Sequence, residues 1–414
     1  MRRWIAGTGI LFGAALGLVT LVALTPLAAA QESVPVQDAP GQQDVAEWTV
    51  GLNEFVSDYP VGFTFNLEVS STAGDIERAR VEYRHREDNP SPGPEEFTRL
   101  EGAIDPERGV ISAVWTPSVQ EELPPWIEVW YRWRLRDSAG NEYVTDFAVA
   151  EYADNTREWE RIENDDMLIF TTGLPEETAE VVLSVFESQR QKYLDHWGQA
   201  LPFVPRVVLF PDLEVYQEWQ AAGGYTAQGI VSVGLSNYAW GGTWQVFYGF
   251  VLEDLADVVL HEIEHLYQRE FLNDRRIYPP GWWYEGDATF FELDIDYTAM
   301  ANVQDWVSDG DLPVMLDGLG PSIIGQDSLQ GYYFGYSFFK WLDQAYGVEV
   351  IRDWKELLAQ DMDLTEALEA VTGRDAVELE SQWRVWLGAP AEVPTLIPTW
   401  TPMFPVIASP VPPN

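Results

Sequence analysis

Between Val251 and Phe271 the chain carries neither proline nor glycine, and Val251, Leu252, Leu255, Val258 and Val259 recur at helical spacing. This pattern predicts a long helix with one buried face and a domain packed around it. Inside the stretch lies His261-Glu262-Ile263-Glu264-His265, which holds two of the four histidines in the chain. Positions i and i+4 share a helix face, so both imidazoles can grip one cation. Glu262 sits about 100° further round, within reach of a water activated there rather than of the ion itself. Two buried imidazoles without polar partners would each be costly, and a shared cation satisfies both at once. A pair satisfied by ordinary hydrogen bonds is the alternative.

With 414 residues, 46% of them hydrophobic and 14% aromatic, the chain can build two packed domains. The absence of cysteine excludes disulfides and thiolate ligands, so a metal here must be held by histidine and carboxylate. A formal charge of −43 argues against nucleic acid and anionic lipid as partners, and most of the acid reads as solvated surface. The 19 tryptophans read as packing between layers rather than as a binding platform. Arg2 and Arg3 precede an apolar run from Trp4 to Leu27, followed by Ala28-Ala29-Ala30. This predicts a signal peptide over residues 1–30 and a secreted or cell-surface protein. The length of the run leaves a membrane anchor through residues 4–27 as the alternative.

Residues 31–46 are polar and proline-bearing, a flexible lead-in. Alternation over Phe63–Val69, Ala79–His85 and Ile127–Leu135, with turn chemistry at Asp137-Ser138-Ala139-Gly140-Asn141, predicts a β-sandwich of immunoglobulin or fibronectin kind over 47–155. His85 reads as an ordinary exposed strand residue. From Trp159 the pattern turns to α+β: a strand at Met167–Thr171, a helix over Pro175–Trp197 and a strand at Arg206–Phe210. His196 is expected to interact with the C-terminus of that helix rather than with metal. This domain extends over 159–388, and 389–414 is a proline- and threonine-rich tail.

A catalytic zinc site normally takes three protein ligands and keeps one position open. Pro279-Pro280-Gly281 makes a turn, and Trp282 to Glu292 reads as a second amphipathic helix beginning near Glu285. Glu285 follows His265 closely enough for the chain to leave the first helix, turn and return a carboxylate. Its other reading is an acid favouring a helix N-terminus.

His261-Glu262-Ile263-Glu264-His265, followed by Trp282-Trp283-Tyr284-Glu285-Gly286-Asp287-Ala288, resembles the H-E-x-x-H and E-G-x-A segments of the peptidase MA-like gluzincins. The resemblance runs on through Tyr332-Tyr333-Phe334-Gly335-Tyr336-Ser337 to Tyr346-Gly347 and Leu379–Leu387, covering roughly 159–388. It implies a zincin-type, thermolysin-like domain behind the β-sandwich, with one Zn2+ per chain held by His261, His265 and Glu285, and Glu262 as general base. One at most of Tyr332, Tyr333 and Tyr336 would supply the hydrogen bond that steadies the oxyanion. The short apolar segment Gly229–Val233 precedes the metal helix, as would an edge strand pairing with an extended peptide.

The chain also departs from the family. Thermolysin-like members place an aspartate four residues after the glutamate ligand to orient a zinc histidine, and here Thr289 stands there, with Thr289, Glu292 and Asp257 as the available substitutes. Gly241-Gly242-Thr243-Trp244-Gln245 does not fit the G-x-M-E-N segment of the larger aminopeptidases, so the resemblance does not imply recognition of a free substrate N-terminus. The expected function is a secreted zinc metallopeptidase acting on peptide or protein substrates. A non-catalytic adhesion protein on a peptidase scaffold and a zinc amidase cutting cell-wall crosslinks are the rival readings.

Overall fold

In the front part, period-two alternation is realised as two antiparallel sheets with their apolar sides facing each other. The structure, a computed structural model, describes residues 46–85, 97–118, 122–220, 234–247, 251–272, 278–293, 295–317, 320–325 and 327–393. The expected signal segment, the lead-in to residue 45, the segment Gly229–Val233 and the tail from 394 lie outside the described residues. The described residues belong to one compact unit that starts at Ala46. Among them no helix is long and apolar enough to cross a membrane.

The first sheet contains β1 (Trp48–Asp58), β2 (Gly62–Ser71), β5 (Ala103–Asp105) and β6 (Val110–Trp115), in the order β1-β2-β6-β5. The second contains β3 (Ile76–Arg84), β4 (Thr98–Glu101), β7 (Glu128–Asp137) and β8 (Glu142–Val144), in the order β4-β3-β7-β8, and β9 (Ala148–Glu151) also pairs with β7. Phe63, Phe65 and Leu67 of β2 meet Val81 and Tyr83 of β3 and Tyr131 and Trp133 of β7 in one core. The Phe65 and Tyr131 rings lie 4.8 Å apart. Strand residues of opposite parity carry the charges, as the pleat requires. His85, just past β3, is half-buried against the edge of the Tyr83 ring.

Five further strands form a mixed sheet: β10 (Glu160–Glu163), β11 (Leu168–Thr171), β12 (Arg206–Phe210), β13 (Gly234–Asn237) and β14 (Gly242–Val246), in the order β10-β11-β12-β14-β13. Strands β11, β12 and β14 are parallel, while β10 and β13 lie antiparallel at the two edges. The crossover from β11 to β12 carries α1 (Thr178–Trp197), and the short α2 (Leu213–Gln217) follows β12. Side chains alternate between the two faces of this sheet. Ile169, Val207 and Leu209 join the helices in one core, whereas Phe170, Val208, Phe210 and Trp244 join the core of the front sheets. The junction is tied further by Trp126 stacked on Phe170 at 4.5 Å, by Trp244 Nε1 donating to the Pro125 carbonyl at 2.8 Å, and by Arg206 paired with Glu128 and Glu151.

The helical layer comprises α3 (Leu252–Leu272), α4 (Gly281–Phe291), α5 (Ile295–Asp309), α6 (Leu329–Tyr346), α7 (Val348–Ala359), α8 (Leu364–Thr372) and α9 (Ala376–Trp386). Leu255, Val259, Leu260, Ile263 and Leu266 form the buried face of α3; of the apolar positions read from the sequence Leu255 and Val259 lie on it, whereas Val251 is exposed and Leu252 and Val258 are half-buried. Helix α4 starts directly after Pro280, whose fixed φ and missing N–H suit the residue flanking a helix start. Trp282 and Trp283 are wholly buried, against Phe338 and against Phe339 and Trp354 respectively.

Candidate metal centre

Helix α3 presents His261 and His265 on one face, with ring centroids 4.9 Å apart, and α4 brings Glu285 between them. Glu285 Oε2 lies 3.3 Å from His261 Nε2 and 3.4 Å from His265 Nε2. One ligand atom from each of the three residues lies within 4.8 Å of the others. Both imidazoles turn Nε2 toward this point because Nδ1 is engaged elsewhere. His261 Nδ1 donates to Glu292 Oε1 at 2.8 Å, and His265 Nδ1 donates to Gln268 Oε1 at 2.8 Å. Gln268 can present only its oxygen, since its Nε2 donates to the Tyr284 carbonyl at 2.9 Å and to Asp287 at 3.2 Å. Holding the outer nitrogen fixes the tautomer that leaves Nε2 free to accept a cation.

The electrostatics match the geometry. Burial favours neutral rings, but the Glu285 and Glu292 carboxylates outweigh it and hold His261 well above the ordinary histidine value. His265 is likewise raised, burial being overcome by Glu285. Burial opposes ionisation of Glu285, yet the two histidines bring its carboxyl far below the usual range. The carboxylates that favour a proton on these rings also favour a cation, which would have to displace that proton. Two imidazole nitrogens and one carboxylate form a donor set that zinc accepts with a fourth position left open, so the residues fit the metal.

Of the possible substitutes for the family's orienting aspartate, Glu292 is the one on His261. Helix α4 stops at Glu292, whose backbone is extended, and Asp257 Oδ1 accepts the next backbone N–H, from Leu293, at 3.0 Å. Asp257 thus braces the turn that aims Glu292. Thr289 is buried, and its hydroxyl has no hydrogen-bond partner among the described residues.

Glu262 is 8% exposed and lies against the first residue of β13. A Cβ at Gly234 would stand 2.4 Å from Glu262 Oε1, so only glycine admits the carboxylate so close to the edge strand. Of the three tyrosines on α6, Tyr332 reaches the cluster. Its ring lies 6.0 Å from that of His261 at 16°, and its hydroxyl bonds to Glu285. Burial, then Glu285, raises the Tyr332 pKa and keeps the phenol protonated. The other two are engaged elsewhere: Tyr333 packs on Trp306, and Tyr336 donates to Asp296 at 2.8 Å.

Helix α6 approaches this closely because two glycines meet. A Cβ at Gly286 would fall 2.4 Å from the Gly335 backbone, and one at Gly335 would fall 2.3 Å from the Trp282 carbonyl. His196 lies in the last turn of α1, as expected, and is buried there against Phe290 and Phe291. Burial, with Lys355 and Lys192 nearby, lowers its pKa well below the ordinary value and keeps it neutral.

Sequence reasoning did not reach a second, fully buried cluster beside the site. Lys355 of α7 lies 3.1 Å from Glu264 and 2.8 Å from Asp287, the three residues being 2%, 0% and 0% exposed. Trp197 Nε1 donates to both Glu264 oxygens, at 2.8 and 3.0 Å. Burial raises the Glu264 carboxyl well above its ordinary range despite the Lys355 ammonium, and Asp287 adds to the rise. Two acids inside H-E-x-x-H and E-G-x-A, at positions those motifs leave open, were the available signal.

No family model matches the chain, and no curated protein matches it. Among solved structures it is similar to the M1 zinc metallopeptidase from Deinococcus radiodurans, at 12% identity and a TM-score of 0.35, covering 81% of this chain and 91% of that one. A two-domain M1 zinc metallopeptidase variant bound to L-arginine matches at 12% identity and 0.36, over 83% and 93%. A polysaccharide deacetylase from Bacillus cereus matches at 8% identity and 0.18, over 41% and 51%. Likenesses of this size carry no weight for fold or activity.

Proposed function

We propose that this chain is an exported, zinc-dependent peptidase of the gluzincin type. The observation that carries the reading is the convergence of His261, His265 and Glu285 on one point, with both outer histidine nitrogens held by separate partners and Glu262 beside them. Zinc held by these three residues supplies Lewis acidity, lowering the pKa of water and polarising a carbonyl. Glu262 takes the proton of the attacking water and passes it to the leaving amine. Tyr332, kept protonated, donates a hydrogen bond to the carbonyl oxygen as negative charge gathers there. The substrate is a peptide or protein whose extended backbone pairs with β13, the last strand in the order of its sheet.

Glu262→Gln tests the reading, because it removes the base and keeps shape and hydrogen-bonding capacity. Zinc content by atomic spectroscopy should remain about one per chain, while cleavage of a mixed peptide library falls at least ~100-fold. Equal cleavage by wild type and Glu262→Gln would refute the assigned base. If neither protein cleaves peptides and both hold a surface ligand, the adhesion reading replaces the enzyme. Export is checked separately by mass spectrometry of the exported protein, whose N-terminus is expected near Gln31. An intact Met1 in the membrane fraction supports the anchor instead.

A further inference from the structure

Helices α3 and α4 supply all three candidate ligands, so any ion they share depends on the separation and rotation of the two helices. Metal affinity is set partly by whatever fixes that relation. Besides the ligand contacts themselves, Gln268 on α3 links the two directly, reaching the Tyr284 carbonyl and Asp287 on α4. A second link comes from outside the pair. Lys355 Nζ contacts Glu264 Oε1 at 3.1 Å and Asp287 Oδ2 at 2.8 Å. Glu264 immediately precedes His265, and Asp287 follows Glu285 by two positions. One ammonium therefore joins the neighbours of two ligands.

We infer that Lys355 is a positioning residue of the metal centre, clamping α3 to α4 through Glu264 and Asp287 at the spacing that lets His265 and Glu285 share one ion. The inference rests on the zinc reading above. Hydrogen bonds run without a gap from His265 Nδ1 to Gln268, from Gln268 to Asp287, from Asp287 to Lys355, from Lys355 to Glu264, and from Glu264 to the indole N–H of Trp197. The ammonium also lies 4.0 Å from the Trp197 ring centroid, which holds its position laterally.

Packing alone is a poor account of this cluster. Burying two carboxylates with one lysine is expensive, and apolar side chains of the same volume commonly serve stability as well or better. An apolar trio cannot hold Asp287 Oδ2 where Gln268 meets it, and so cannot hold the His265 ring through Gln268. Asp287 Oδ2 receives both Lys355 and Gln268, which makes it the point where the clamp and the histidine support join.

The test replaces the cluster without leaving a buried charge, using the full chain with Lys355→Met, Glu264→Gln and Asp287→Asn together. Circular dichroism and thermal unfolding of the metal-free protein verify the fold. Zinc affinity is then measured by chelator competition, and the visible spectrum is recorded with Co2+ in place of zinc. The expected result is a folded protein whose zinc dissociation constant rises about 10- to 100-fold, the range for lost outer partners of metal ligands, with a shifted Co2+ spectrum. A folded variant with wild-type affinity and an unchanged spectrum overturns the inference and leaves the cluster a matter of packing. Should the triple variant not fold, Lys355→Arg keeps the charge and alters the span between the two acids. Weaker zinc binding by that folded variant supports the clamp, and wild-type affinity overturns it. A wild-type protein that binds no zinc fails the zinc reading itself, and this inference with it.

Discussion

Tyr332 lies almost parallel to the His261 ring with its hydroxyl on Glu285, so it reports on chemistry rather than on assembly. Tyr332→Phe should keep zinc and fold while kcat for peptide cleavage falls about 100- to 1000-fold, the scale of one lost oxyanion donor. A fall of less than threefold in steady-state assays would exclude that role. His196 gives a prediction for pH. Its folded pKa is depressed by burial, so below the unfolded value of about 6.5 only the unfolded chain takes up this proton. Stability contributed at neutral pH is therefore lost on acidification, by about 1.4 kcal/mol per pH unit from pH 6.5 down to the depressed value. Urea unfolding of wild type and His196→Leu should give a difference that is constant above pH 7 and drifts against wild type below 6.5. His261, Glu262 and His265 were legible in the sequence because helical spacing fixes their relation, and Glu285 because a turn and a second helix follow them in the E-G-x-A pattern. Lys355 was not, since it meets Glu264 from 91 positions away and only tertiary packing brings them together.

The crossing of α4 and α6 decides whether Tyr332 reaches the site at all, and Gly286 and Gly335 make the crossing possible. Alanine at a mid-helix glycine gains up to about 1 kcal/mol in helix propensity. Here the added Cβ meets backbone at 2.4 Å, which side-chain rotation cannot relieve. The clash wins, and Gly286→Ala should destabilise by about 1 to 3 kcal/mol in chemical denaturation and reduce activity by more than the folded fraction falls. Gly234→Ala acts on one contact instead. It displaces Glu262 from β13, so peptide cleavage should drop while zinc binding by chelator competition stays near wild type. Elements with a clear apolar pattern, such as helical α3, the continuous run of β12 and the alternating front strands, agree with their sequence pattern. Helix α7 was missed, although its apolar face is regular, because no motif drew notice to Val348–Ala359.

At the scale of the whole molecule, the front sheets and the mixed sheet are built on shared packing: Trp126, Phe170, Phe210 and Trp244 belong to one apolar cluster with Phe65 and Trp133. Residues 156–393 expressed alone should expose that cluster and be recovered as aggregate, or with a melting temperature far below that of residues 46–393. A soluble, equally stable fragment would show that the front part is dispensable. Composition gave two domains' worth of apolar residues, but it could not say that both faces of one sheet would be claimed. In β11, against which α1 packs, Ile169 points into the helical core, and its neighbour Phe170 points into the front part. The sheet is thus a partition a single residue thick, with a furnished room on either side. Redecorating the front room means moving the wall, because β14 puts Trp244 into the front core and packs against α3, the helix that carries His261 and His265.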